Sequence, residues 1–295
     1  MRIVSLLPST TEIVFALGAG DELAGVTVEC DFPTEARARR IVSRTTLPAG
    51  LTPAEIDDQV RQRMAAGEDL YRLDEKAFRE IDPDMVLTQD LCAVCAIDVA
   101  DVDTAMQHLG CNGQVLTVDP GTLTEVLDSI LTIGTAIDHR DAAEALVAAL
   151  RRRLAAVAGA VEGRPRPRMA MVEWTDPPFT AGHWVPDLVT AAGGEPAIGT
   201  VRVPSIATTW TAVAATAPDV IVIAPCGYRL DGARTLAEQA MAADGFPSAV
   251  PVWAIDAETV VVRPGPRLVD GVEALAGIMH PDRVAGRPKH VIQLR

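Results

Sequence analysis

The chain has 295 residues, enough for about two domains at roughly 150 residues each, and its 48% hydrophobic and 22% charged content excludes a disordered polar chain. A formal net charge of −14, from 26 basic and 40 acidic residues, excludes a protein that lives on the phosphate backbone of nucleic acid or on an anionic membrane surface. No window offers the roughly 18 uninterrupted apolar residues that a membrane span requires.

Met1-Arg2 leads directly into an apolar run at 3–7. That run is too short for the core of an export signal, and no small-residue cleavage site follows it. The expectation is a cytoplasmic chain, or a periplasmic or extracellular one if a leader has been removed. Beyond this point, short Val/Ile-rich runs alternate with amphipathic stretches, the pattern of a parallel sheet covered by helices. Strands are predicted at 3–7, 23–28, 85–88 and 114–118, with helical patterning between them, as at 11–17 and 99–109. Behind the first run, Ser9 or Thr10 is placed to cap a helix and Glu12 to close a capping box. A helix N-terminus at that position favours a polar or anionic ligand group. The second run is followed by Glu29-Cys30-Asp31, the third by Gln89-Asp90-Leu91-Cys92-Ala93-Val94-Cys95.

Residues 122–161 carry only helical periodicity, which Gly134 and Asp138-His139-Arg140 break into two helices. The second, from about residue 141 to 161, is about 30 Å long at 1.5 Å per residue, and Pro165 and Pro167 close it. The predicted organisation is an N-terminal α/β lobe at 1–121, linking helices at 122–163 and a C-terminal α/β lobe at 164–295. A single rigid helical tie implies small lobe motion.

In the second half, strands are predicted at 169–173, 220–224, 252–255 and 259–262. Between positions 173 and 184 lie Glu173, Trp174, Phe179, His183 and Trp184, in a chain with only 5 Phe, 2 Tyr and 4 Trp. Pro177 and Pro178 forbid a helix there and hold an extended loop at the rim. A flat apolar wall with a few polar handles suits a large planar ligand; the alternative is that these aromatics plug the gap between the lobes. Cys226 follows the 220–224 run, and Arg263 and Arg267 follow the last strand, placed to meet a carboxylate or phosphate or to pair with Glu173 or Glu29.

Ligands of parallel α/β sheets bind outside the carboxyl ends of the strands, and Cys30, Cys92, Cys95 and Cys226 all follow strand ends. Thiolates converging on one cleft are what zinc, an iron–sulfur cluster or a soft metal complex requires; small inert thiols, or a reversible Cys92–Cys95 disulfide, are the other readings. Cys111 precedes its strand and reads as a structural thiol. The chain has no second Cys-x-x-Cys, which excludes a zinc ribbon, and no Gly-rich phosphate loop, nucleophile elbow or His-Glu-x-x-His. No catalytic residue is assigned.

The opening Arg2-Ile3-Val4-Ser5-Leu6-Leu7-Pro8-Ser9-Thr10-Thr11-Glu12, with Leu17-Gly18-Ala19-Gly20, Asp82-Pro83-Asp84, Pro218-Asp219 and Ala192-Gly193-Gly194, resembles the vitamin B12 and iron-siderophore substrate-binding proteins of ABC transporters. The resemblance covers nearly the whole chain. Leu91-Cys92-Ala93-Val94-Cys95-Ala96 and the stretch from Glu173-Trp174 to Trp184 are similar to a cobalamin-binding-protein-like subgroup. It implies an α/β fold of the class III periplasmic-binding-protein type: two Rossmann-like lobes with parallel sheets joined by one long helix. It also implies a ligand held in the cleft between the lobes and an ABC permease as partner.

The leading expectation is therefore a non-catalytic protein that binds a small-molecule metal complex or corrinoid-like ligand. Ser9, Thr10, Cys92, Cys95 and Glu173 are its expected polar contacts. Trp174, Phe179 and Trp184 form the wall, His183 or a cysteine supplies an axial ligand, and Arg263 meets an acidic substituent. The alternative is a cytosolic metal or iron–sulfur protein, or an enzyme, with Cys30, Cys92, Cys95 and Cys226 as metal ligands and Glu173 as general acid or base. The bound group is then a cobalamin or other corrinoid in the first case, a metal or iron–sulfur centre in the second.

Overall fold

The computed structural model describes residues 1–89, 106, 111 and 113–295. The chain divides into two compact units, Met1–Asp119 with Leu127–Val147 and Pro120–Val126 with Ala148–Arg295. Each is an α/β unit with its own sheet.

The first unit carries β1 (Ile3–Ser5), β2 (Leu23–Thr27), β3 (Arg40–Thr45), β4 (Tyr71–Leu73), β5 (Met85–Thr88) and β6 (Gln114–Thr117), in the sheet order β4-β3-β2-β1-β5-β6. All neighbours run parallel except the edge strand β4, which pairs antiparallel with β3. The central strands β1 and β5 are buried along their whole length, as strands covered on both faces must be. Helices α1 (Pro8–Ala16), α2 (Pro53–Ala66) and α3 (Glu75–Ile81) cover or flank this sheet. Thr52 and Glu55 form a capping box at the start of α2, Pro53 occupies its first turn, and Gly67 ends it at φ +67°, a left-handed backbone that glycine adopts without steric cost. Phe78 of α3 packs with Val4, Leu6, Val42 and Val86 in a core that also takes in Cys111; burying one such side chain contributes roughly 1.5–3 kcal/mol.

The expected linking segment at 122–163 is two helices, α4 (Leu123–Ala136) and α5 (Arg140–Val161), whose residues are shared out between the two units. In the last turn of α4, Gly134 has no room for a side chain: a Cβ there would lie 2.4 Å from that of Ala143. In the second unit, Arg153 of α5 pairs with Asp270 and Glu273, and Arg287 also pairs with Glu273.

That unit contains β7 (Arg168–Thr175), β8 (Pro178–Thr180), α6 (Val185–Ala191), β9 (Glu195–Pro196), α7 (Trp210–Ala215), β10 (Val220–Ile223), α8 (Leu230–Ala240), β11 (Val252–Ile255), α9 (Ala257–Val260), α10 (Leu268–Met279) and β12 (Val291–Gln293). Its sheet order is β12-β11-β10-β7-β8, with β9 also on β7. The pairs β7–β10, β10–β11 and β7–β9 are parallel, and the edge strands β8 and β12 are antiparallel. Two-lobed α/β architecture stands, with mixed rather than purely parallel sheets.

Two expectations are corrected here. The strand predicted at 259–262 is replaced by the short helix α9, because Asp256 caps it by accepting the Thr259 N–H at 3.1 Å. The edge of β11 that a fourth parallel strand would have taken is occupied by β12 instead. The extended loop expected around Pro177 is a tight β7–β8 hairpin. The helix predicted at 99–109 lies outside the described residues apart from Met106.

Candidate functional site

The carboxyl end of β1 in the first unit is where strand order diverges, with β2 on one side and β5 on the other, the position at which open α/β sheets bind ligands. The helix behind β1 starts earlier than the capping pattern implied. Its N-cap is Leu7, in extended backbone at φ −137°, with no side-chain cap, so Ser9, Thr10 and Glu12 sit inside the first turns rather than capping them. Thr10 is 1% exposed. Its hydroxyl lies 2.6 Å from Ser5 Oγ and donates to the Leu7 carbonyl at 3.2 Å, which corrects the expectation that it meets a ligand. Thr11 donates to Ser5 Oγ at 2.8 Å and lies 3.0 Å from Cys30 Sγ. Since the Thr11 proton is committed to Ser5, the Cys30 S–H is the donor in that contact, and Cys30, 2% exposed, belongs to the hydrogen-bonded interior. Ser9 is 4% exposed. Val28 and Phe32, behind β2, are 40% and 44% exposed, an apolar rim that the sequence pattern did not single out.

In the second unit the β7–β8 hairpin builds the aromatic part of the rim. Its register places Trp174 opposite Phe179 and Thr175 opposite Pro178, with an irregularity between Val172 and Trp174 that leaves Glu173 as the extra residue. A bulge of this kind re-aims a side chain. Glu173 therefore turns to the loops: its carboxylate accepts the Gly182 N–H at 2.7 Å and the Ser205 hydroxyl at 2.9 Å, holding the rim together instead of standing open as an acid or base. Trp174 is half-buried and meets Tyr228 edge to face at 5.8 Å, a favourable geometry for aromatic rings. Tyr228 follows β10, and burial pushes its phenol above the usual value.

Trp184 departs from the expected wall. It is 6% exposed and its indole N–H donates to the Val261 carbonyl at 2.8 Å, so it anchors the interior of the unit. His183 beside it is half-buried with φ +49°, in the left-handed region where a non-glycine residue is strained. Its backbone is pinned by His183 N–H to Val203 O at 2.9 Å and Arg202 N–H to His183 O at 3.0 Å. The ring lies 5.8 Å from that of Trp184, Nδ1 is sealed from solvent with no hydrogen-bond partner among the described residues, and burial lowers its pKa from the usual value, which favours the neutral imidazole. Arg263, 7% exposed, pairs with Glu258.

Cys226 is exposed behind β10 and its N–H donates to the Glu173 carbonyl at 3.0 Å. Cys92 and Cys95, expected as ligand and metal contacts, lie outside the described residues. Among the described residues, no three His, Cys, Asp or Glu side chains come together to hold a metal ion, and no helix is long and apolar enough to cross a membrane.

Residues 3–255 match the family model for periplasmic binding proteins. The chain is 27% identical over 293 residues, 95% of its length and 80% of the relative's, to the uncharacterized ABC transporter substrate-binding lipoprotein YvrC of Bacillus subtilis (strain 168). Among solved structures it resembles a periplasmic heme binding protein from Pseudomonas aeruginosa, with a TM-score of 0.70 at 20% identity, covering 100% of this chain and 98% of that one. It also resembles the periplasmic vitamin B12 binding protein BtuF of Vibrio cholerae, with a TM-score of 0.62 at 21% identity, covering 93% and 94%.

Proposed function

The chain belongs to the periplasmic binding protein family, and on that premise we propose that it is the solute-binding component of an ABC transporter, carrying a planar metal complex of the haem or corrinoid kind. It is a binding protein and not an enzyme. The observation that carries the ligand class is the half-buried Trp174–Tyr228 pair beside Phe179, an aromatic surface at the carboxyl end of β7 and β10. The names of its structural relatives, which bind heme and vitamin B12, support the same class.

In this reading Trp174 and Phe179 lie against the macrocycle. His183 offers its second ring nitrogen to the metal, since Nδ1 is sealed and the neutral imidazole is the form that coordinates. Glu173 holds the loops in place. The permease is the partner to which the solute is delivered. The similarity to a lipoprotein supports a place of action outside the cytoplasmic membrane, in place of the cytoplasmic expectation.

Titration with haemin, cyanocobalamin and a ferric hydroxamate siderophore, followed by tryptophan fluorescence, tests the proposal. At least one of the two macrocycles is expected to quench saturably at 1:1 stoichiometry, with affinity lowered about tenfold or more in Trp174→Ala, since stacked aromatics contribute roughly 0.5–1.5 kcal/mol beyond their buried area. Saturable binding of the siderophore alone, or of none of the three, rejects the planar ligand class.

A further inference from the structure

We infer that the first turn of α4 is a positioning element for His183: Gly121, Leu123 and Glu125, acting through Arg202 and Asp187, hold the backbone on which the imidazole is presented to a metal. The inference rests on the ligand class proposed above, with His183 as the ligating residue, and it names the residues that fix that histidine in place.

Two residues of the second unit that are bonded to each other carry a costly backbone. His183 has φ +49° and Arg202 has φ +68°, in the left-handed region that residues other than glycine rarely occupy. The Arg202 N–H donates to the His183 carbonyl at 3.0 Å, and the His183 N–H donates to the carbonyl of Val203, the residue after Arg202, at 2.9 Å. A strained backbone persists where its surroundings over-determine it, and such residues cluster at ligand sites. The first turn of α4 supplies part of that determination.

Residues 120–126 belong to the second compact unit, together with 148–295. Thr122 caps α4 by accepting the Glu125 N–H at 3.1 Å, on the Thr-x-x-Glu spacing of a capping box. The Glu125 carboxylate reaches one residue further back: one oxygen accepts the Gly121 N–H at 2.8 Å and the other pairs with the Arg202 guanidinium. Gly121 lies against Arg202, so that a Cβ there would stand 3.2 Å from Arg202 Cγ and 3.5 Å from its Cα. The Leu123 N–H is one of the first-turn donors that a helix leaves without an internal partner, and it donates to the Asp187 carboxylate at 3.1 Å. Asp187 stands in the first turn of α6, the helix that begins just after His183 and Trp184. One short segment thus grips the histidine from two sides, at its backbone partner Arg202 and at the helix that follows it.

The Arg202 and Glu125 side chains are 63% and 35% exposed, and an ion pair of that kind contributes little stability by itself. Its effect is on geometry. Together with the Asp187 bond and the buried indole of Trp184, it presets the loop that carries the imidazole, so that binding does not have to order that loop first. Outer partners of a metal-binding histidine contribute about tenfold or more in affinity.

The test uses haemin and aquocobalamin, in which an imidazole nitrogen that gives its lone pair to the metal displaces water and shifts the visible absorption. For the macrocycle that the protein binds, the wild-type complex is expected to show this shift, and His183→Ala to lose it until free imidazole is added. Glu125→Ala and Asp187→Ala are each expected to lower affinity about tenfold and to weaken the shift, which added imidazole restores. Glu125→Gln, which keeps an acceptor for the Gly121 N–H, should lose less. In the ligand-free protein, hydrogen exchange at the His183 and Arg202 amides should quicken in both alanine variants while near-ultraviolet circular dichroism stays native. Wild-type exchange rates in both variants, or quickened exchange with affinity and absorption unchanged, overturn the positioning role and leave the ligand class standing. A shift that survives in His183→Ala removes the histidine as the ligating residue and the positioning role with it. Failure of both macrocycles to bind the wild-type protein overturns the ligand class and this role together.

Discussion

His290 illustrates how a single side chain ties stability to pH. It is 7% exposed, and neither ring nitrogen has a hydrogen-bond partner among the described residues. Burial lowers its pKa first, Lys289 and Arg287 add to that, and Asp256 and Asp270 oppose it. A base whose folded pKa lies below its unfolded value near 6.5 takes its proton preferentially in the unfolded chain. The stability it permits is therefore complete above about pH 6.5 and is lost as the pH falls below that value, by up to about 1.4 kcal/mol per pH unit while only the unfolded state is protonated. Urea unfolding between pH 7.5 and 5 should show this decline, and His290→Phe should flatten it; an unchanged slope in the variant would remove His290 as its source. Trp184 shows the complementary limit of reading single residues. Its proximity to His183 in sequence made it part of a ligand wall, but a buried hydrogen bond to Val261, 77 residues away in sequence, decides its role, and no local pattern encodes that contact.

Among elements, the β7–β8 hairpin and the loop that crosses it form the most closely fitted part of the rim. The Thr180 N–H reaches Ile206 O at 2.9 Å and the Thr208 N–H reaches Pro178 O at 2.7 Å, so the crossing loop extends the sheet edge. Gly182 is what allows the approach: a Cβ there would lie 2.4 Å from Ser205 N and 2.8 Å from Val203 O. Gly182→Ala should push this loop off the hairpin, break the Glu173 bonds to Gly182 and Ser205, and destabilise the fold by about 1–3 kcal/mol, the usual cost of overpacking. Denaturant unfolding measures the loss, and faster hydrogen exchange at Thr180 and Ile206 locates it; native exchange rates at both amides would show that the contact is not the constraint. Most strand positions were legible beforehand because continuous Val/Ile runs bounded by turn residues leave few alternatives, as for 85–88 and 252–255. The 259–262 run misled for a specific reason: its β-branched residues read as a strand, while one capping carboxylate from Asp256 and the arrival of β12 from the chain's end made it helical. The polar region containing β3, α2, β4 and α3 carries caps and short alternating segments in place of apolar runs, so its elements were not marked by hydropathy.

Across the whole molecule, a protein that binds a solute in its folded state only is stabilised by that solute in proportion to RT ln(1 + [L]/Kd). Whichever of haemin and cyanocobalamin binds should therefore raise the unfolding free energy by about 2.7 kcal/mol at a free concentration of 100 Kd. Calorimetric scans across a ligand series read this directly, and a midpoint that stays constant as ligand increases would contradict folded-state binding. The α/β class and the long helix were legible in the sequence alone, because hydrophobic periodicity and turn residues act locally and repeat along the chain, while the solute-binding family was legible through the resemblance of the opening Arg2–Glu12 and the later turn motifs. The tertiary structure decided which of the marked residues remain available at the rims. It turned Thr10, Cys30 and Trp184 inward, tied Glu173 to the loops and Arg263 to Glu258, and left Trp174 and His183 half-buried near the carboxyl end of β7. Those outcomes depend on hydrogen bonds and packing between residues distant in the chain, and a side chain's partner is set by what the fold brings beside it.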